Sequence, residues 1–338
     1  MEKGRTAKVT ALILLLGPFF GFLLVFWVMP LAYGIDLSLQ SPDYRPELTN
    51  ESIDSVANPQ SESSWSLGQS WDDLVAESES TSGPGEKYVG WSNYSHLLGD
   101  AKFYKALSNT LVYCVSVIIL VLPLAFLLSQ VLFSSSVKTR PLLSLMLLLP
   151  ALTLPGILGT LFHLFFHGRH GILNQAFVIP LGFEPINWML DPSFIMPAMV
   201  MQAVWRWTGF ITLFFLCAME TIPKIQYEAA RLEGASVWWT MRTVTWPGVR
   251  HVAIFAAIFL AVDAVASFSG AYSLLGGSGG TADAGLLLVT YVYQIAFPGG
   301  SGVHDFPAAA AMSLMIAPAM ALATWLFLGL SQPSKESS

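Results

Sequence analysis

Residues 221–250 read TIPKIQYEAARLEGASVWWTMRTVTWPGVR, a polar and charged interval set between two long apolar runs. Pro223 suits the start of a helix, where no backbone donor is needed. Glu228, Ala229, Ala230, Arg231 and Leu232 are mostly good helix formers. Gly234 can supply a left-handed stop, and Ser236 can cap a second helix, expected to end near Pro247. The interval is therefore expected to form two short helices meeting at a glycine corner. Ala229 and Ala230 are small enough for another protein to approach closely, while Leu232, Val237 and Trp238 offer apolar anchors. A projection of this kind suits a helix-in-groove contact.

The flanks explain why such an interval exists. Apolar residues make up 54% of the 338 and charged residues only 11%, less than half the roughly 25% of soluble domains. A bilayer-spanning helix needs about 20 mainly apolar residues. Six segments meet that test: 9–29, 107–132, 142–166, 194–219, 252–275 and 308–330. Pro123, Pro150, Pro155, Pro197 and Pro318 fall inside them, which implies a packed bundle whose neighbours re-satisfy the freed carbonyls. Pro150 and Pro155 together predict a bent or broken third span. The expected fold class is an all-α integral membrane protein of six transmembrane helices.

Basic residues set the expected orientation. Lys3, Arg5, Lys8, Lys138, Arg140, Lys224, Arg231, Arg242, Arg250 and Lys335 fall on one side, ten in all. Arg45, Lys87, Lys102, Lys105 and Arg169 fall on the other, and Arg206 lies within a span. The N- and C-termini and the 221–250 interval are thus expected to be cytoplasmic. The first apolar run exceeds the roughly 7–15 residues of a signal core and lacks a following small-residue cleavage site, so it reads as a retained span.

The organisation expected from this is a cytoplasmic N-terminus and first helix over 1–30 and an extracytoplasmic loop over 31–106. A five-helix core follows over 107–330, containing the cytoplasmic loop 218–250, and then a tail over 331–338. Within the outer loop, residues 41–90 carry ten acidic and two basic residues, against 12 and 14 in the rest of the chain. That one segment holds all of the negative excess behind the net charge of −6. Its Ser, Glu, Pro and Gly content reads as a solvated insertion, or else as a docking element anchored by Trp65 and Trp71. Residues 94–105 read as an interfacial helix leading into the second span.

Here a resemblance enters. Glu228-Ala229-Ala230, three residues, Gly234, nine residues and Val244-Thr245-Trp246-Pro247 resemble the EAA motif of ABC importer membrane subunits. The family pattern has Ile and Leu where Val244 and Trp246 stand. The resemblance extends along the chain outside the acidic insertion and points to the carbohydrate-uptake branch. It is carried by FYKALSNTLVY (103–113), Leu149-Pro150 with Pro155, and Gly171-Ile172-Leu173-Asn174. Trp205, Gly209-Phe210, Ile222-Pro223 and the stretch 291–297 carry it further. The family's Gly-Gly-Pro, three residues, Thr departs here to Gly279-Gly280-Thr281, Ala282 to Ala284, then Gly285.

The resemblance implies a type I importer permease bundle and a translocation path for a sugar or related polyol. It implies as partners a second, non-identical permease subunit, two ATP-binding cassette ATPases, an extracytoplasmic solute-binding protein and membrane lipid. Glu228, Ala229, Ala230, Gly234 and Pro247 would couple to the ATPase. No Gly-x-x-x-x-Gly-Lys-Ser/Thr phosphate loop is present in the sequence, so ATP and Mg are expected on the partner and no catalytic residue on this chain. No basic footprint for nucleic acid is present.

Arg206, between Trp205 and Trp207, and Asp263 are the deepest charges in the spans; such charges face a cavity or a partner. They read either as lining the path or as a structural pair, Arg206 alternatively snorkelling to the interface. Trp205, Trp207 and Tyr272 read either as sugar-stacking rings or as interfacial belt residues. His163, His167 and His170 share spacing with metal sites but lack a completing carboxylate, so no metal is expected. Cys114 and Cys217 read as small apolar side chains. Two other transport readings remain open at the level of sequence. One is an importer for a different solute, such as polyamine or glycerol phosphate. The other is an ion-coupled secondary transporter using Asp263 or Arg206.

Overall fold

The computed structural model describes residue 17 and residues 19–41, 88–136, 138–297 and 304–331. Residues 9–16 of the first expected span, Lys3, Arg5, Lys8, Lys335, and Trp65 and Trp71 of the insertion lie outside the described residues. Most of the described residues are helical, and among them no strand forms beyond a single bridge. Its main helices are α1 (Phe19–Ser38), α2 (Ser92–Gly99), α3 (Ala101–Ser134), α4 (Arg140–Leu152) and α5 (Pro155–Phe165). They continue with α6 (Pro192–Thr221), α7 (Lys224–Leu232), α8 (Val237–Val265), α9 (Ser269–Leu275), α10 (Leu288–Ala296) and α11 (Phe306–Ser331). Among the described residues, α1, α3, α6 and α8 are each long and apolar enough to cross a membrane, and α4 with α5 form a bent pair.

Two compact units divide the chain, one of residues up to 99 with 292–316 and one of 100–291 with those from 317 onward. In the first, the two ends of the long insertion are clasped. Gln40 pairs with Tyr88 in an antiparallel bridge, and the amides of Val89 and Gly90 both donate to the Leu39 carbonyl. Asn93 Nδ2 donates to the carbonyls of Ser38 and Gln40 at 2.8 and 2.9 Å. Tyr88 Oη donates to Asp36 Oδ1 at 2.5 Å, a bond that holds its phenol above the usual tyrosine range.

The second unit is built on α3, α6 and α8. Val117, Val121 and Ala125 of α3 are buried at four-residue spacing, as are Ile211, Phe215 and Met219 of α6. Val249, Ala253, Ala256 and Leu260 of α8 complete the core at the same helical period. In a bilayer such faces associate by close packing rather than by escape from water, which accounts for the small residues among them. Gly209 shows how tight the fit is, since a Cβ there would stand 1.8 Å from the Leu147 carbonyl oxygen of α4. Asp100 and Asp191 cap α3 and α6, their carboxylates accepting from the amides of Lys102 and Ser193.

Four details of the sequence reading are corrected. The helix expected over 94–105 is split at Asp100, which ends one helix and caps the next. The first span does not stop at Met29 but runs on to Ser38, because the π turn Leu24–Val28 places Pro30 where a fresh α segment begins. The helix capped by Ser236 does not end near Pro247: a second π turn, Met241–Thr245, leads into Trp246–Val265, and Pro247 occupies an opening position that needs no donor. The fifth span ends at Val265 rather than 275, and Ser269–Leu275 is a separate short helix. The third span is broken as expected, by 96°. The break falls at Thr153 and Leu154, both extended, just ahead of Pro155, whereas Pro150 is carried inside α4.

Candidate functional site

The α6–α8 loop folds as two helices around a glycine corner. Gly234 adopts φ +73°, its amide donates to Arg231 O, and that of Ala235 donates to Ala230 O at 2.9 Å. These two bonds form a Schellman stop, which satisfies the last carbonyls of α7. Ser236 Oγ then accepts from the Trp239 amide at 3.2 Å and caps α8. Glu228, Ala229, Gly234 and Pro247 are exposed, as are Ile225, Leu232, Val237 and Trp238, with Leu232 89% open. Ala230 instead is turned inward and buried. Trp246, standing where the family pattern has Leu, packs edge-on against Phe126 of α3, centroids 5.5 Å apart.

Deeper in the same unit, a cavity of about 170 Å³ opens between α3, α5, α6 and α8 and the segment after α8. Tyr113, Gln202, Arg206, Trp207, Asp263 and Ser267 give it its polar wall. Trp207 is held on two sides. Its Nε1 donates to Asp263 Oδ2 at 2.7 Å, and the Arg206 guanidinium lies 4.7 Å from its ring centre. Phe259 adds an edge contact at 4.9 Å. Arg206 Nε and Gln202 Nε2 are buried with no hydrogen-bond partner. A buried donor left unpaired costs roughly 1–3 kcal/mol, and both nitrogens belong to side chains that line the cavity.

The structure thus gathers three of the five path candidates, Arg206, Trp207 and Asp263, on one cavity. Trp205 stands outside that lining, edge-on to Phe162, and Tyr272 packs against Phe268. Gln202, Tyr113 and Ser267 were not singled out in the sequence. Gln202 alone carried a signal, as an amide in an apolar run one helical turn before Arg206. Among the described residues, no three His, Cys, Asp or Glu side chains group as a metal site. His167 Nδ1 instead accepts from the His170 amide.

Two polar knots support this frame. Asn109 Nδ2 donates to the carbonyls of Asp283 and Leu286 at 2.8 and 3.1 Å, and Thr110 Oγ1 accepts from the Leu288 amide. They fix the departing segment, in which Ala282 and Asp283 take φ of 55° and 53°. Asn174 ties its own loop, donating to Gly168 and Ile186 carbonyls and accepting from Trp188 Nε1.

A bundle of apolar helices with an inner polar cavity and an exposed two-helix loop defines an integral membrane permease. Residues 109–332 match the family described as binding-protein-dependent transport system inner membrane component, and the chain belongs to that family of ABC importer permeases, which are not themselves enzymes. Among its relatives is the arabinooligosaccharides transport system permease protein AraP of Bacillus subtilis, 35% identical over 62% of this chain and 67% of that one. The lactose transport system permease protein LacF of Rhizobium radiobacter is 28% identical over 71% of this chain and 80% of its own length. Among solved structures, a bacterial ABC transporter involved in the import of the acidic polysaccharide alginate superposes with a TM-score of 0.72 at 17% identity, over 99% of this chain and 98% of that one. An alginate ABC transporter in complex with its alginate pentasaccharide-bound periplasmic protein gives 0.65 at 19% identity, over 75% and 86%. At those identities the likeness is one of fold.

Proposed function

We propose that this permease carries a sugar or related polyol through the cavity at Arg206, Trp207 and Asp263. The carrying observation is that cavity itself, with two unpartnered buried donors and a carboxylate inside an apolar bundle. Hydroxyl groups both donate and accept, so a polyol matches a lining that offers the donors of Gln202 and Arg206 and the carboxylate of Asp263. Arg206 and Asp263 balance in charge, which favours a neutral solute over an anion or a polyamine. The relatives named for arabinooligosaccharides and lactose support the same solute class. Trp205 and Tyr272, though outside the lining of the cavity, belong to the path on this reading.

The chain would cross the membrane six times, with both termini and the α6–α8 loop in the cytoplasm. It would pair with a second permease subunit and with two ATPases that bind ATP and Mg. Glu228, Ala229, Ala230, Gly234 and Pro247 would form the seat for one of them. An external binding protein delivers solute, and closure of the ATPases, levered through α7, turns the cavity from the outer face to the inner. The exposed leucines of α4, which buries none of its residues, suit lipid or the second subunit.

Uptake by cells carrying the full transporter tests the solute assignment. Arg206→Gln and Asp263→Asn should each cut labelled-sugar uptake at least tenfold while leaving the affinity of the binding protein for that sugar unchanged. Undiminished uptake in both variants would remove the cavity from the path.

A further inference from the structure

A second polar cluster lies at the far end of the bundle, away from the cavity, and joins the ends of three helices. α3 closes at Ser134, leaving its last carbonyls without helical partners. Arg140, the first residue of α4, donates from Nη2 to the Phe133 carbonyl at 2.8 Å and from Nη1 to Glu220 Oε1, near the end of α6, at 2.7 Å. Its guanidinium also stands 5.8 Å from the centre of the Phe133 ring. That ring meets the ring of Tyr227 in α7 at 5.5 Å, and Tyr227 Oη lies 3.4 Å from the buried Thr245 Oγ1 of α8.

The charges make sense only jointly. A cation opening α4 and an anion closing α6 each oppose the dipole of their own helix. Paired, the guanidinium holds the carbonyl end of α3 and neutralises the carboxylate near the end of α6 at the same time. Lysine offers one compact charge rather than a planar fork, so it would not hold both acceptors in the geometry of Arg140.

We infer that Arg140 is a positioning residue that fixes the seat of α7, so that movement of α7 reaches α3, α4 and α6 together. This rests on the reading of the α6–α8 loop as the ATPase dock. Arg140 clamps the end of α3; the clamped end presents Phe133; Tyr227, one residue before Glu228, rides on that ring.

Two measurements on the full complex test it. In a chain with Cys114→Ala and Cys217→Ala, the pair Phe133→Cys and Tyr227→Cys is cross-linked in membrane vesicles by a short bifunctional thiol reagent; the backbone carbonyl that Arg140 grips is retained. Adding Arg140→Lys or Glu220→Gln should slow cross-linking at least fivefold, and an unchanged rate overturns the clamp. With both rings intact, Arg140→Lys complexes in proteoliposomes should hydrolyse ATP within twofold of the parent yet move at least fivefold less solute per ATP. Equal falls in transport and hydrolysis, or no fall in either, overturn its part in transmission. An ATPase that fails to co-purify with the parent chain overturns the docking reading alone, and cross-linking still decides the clamp.

Discussion

At the scale of single residues, two glycines fail for different reasons when substituted. Gly209 is steric: its missing side chain lets the backbone of α4 approach α6, and any Cβ collides with a carbonyl oxygen that is part of a helix. Gly209→Ala should destabilise the bundle by about 3 kcal/mol, the upper part of the range for overpacking, read as a lower unfolding midpoint in detergent. Gly234 is conformational: nothing lies within 4 Å of an added Cβ, but its φ is +73°. Gly234→Val should cost roughly 1–2 kcal/mol of local strain and abolish co-purification of an ATPase, while the unfolding midpoint of the bundle hardly moves. Gly234→Asn, which tolerates the left-handed region, should retain most of that binding. The sequence showed what the second glycine does, whereas it marked the first only as part of the family resemblance. A helix stop is written in a few consecutive residues, whereas the close approach at Gly209 depends on Leu147, 62 positions away.

At the scale of elements, local signals were legible and continuity was not. The glycine corner, the Ser236 cap and the broken third span followed from neighbours in sequence. The π turns before Pro30 and Pro247 did not, because an extra residue in a helical turn leaves no compositional mark, and each carried a helix past its expected end. The cavity was half legible: buried charges announce themselves in apolar runs, but their gathering with Tyr113 and Ser267 is set by packing between distant helices. The clasp at Gln40 and Tyr88 bears on the two readings of the insertion. Since both ends are pinned by their own hydrogen bonds, replacing residues 42–87 by a short Gly-Ser linker should leave the unfolding midpoint within about 2 °C. If the segment is only a solvated insertion, uptake should persist as well. Loss of stimulation by the binding protein, with folding intact, would mark it as a docking element.

At the scale of the whole molecule, the family membership makes the energy source the decisive measurement. Uptake should cease when ATP is depleted and persist when ion gradients are collapsed, the reverse of the behaviour of an ion-coupled carrier, for which Arg206 and Asp263 would be the coupling charges. The two buried donors left open beside Trp207 carry one more consequence. A polar cavity lined by an amide, a guanidinium and a carboxylate is costly to leave dry, so between passages it should hold water. Each passenger then enters by swapping hydration for its own oxygens, and osmotic stress, which favours steps that release water, should tighten loading most for the largest cargo that fits.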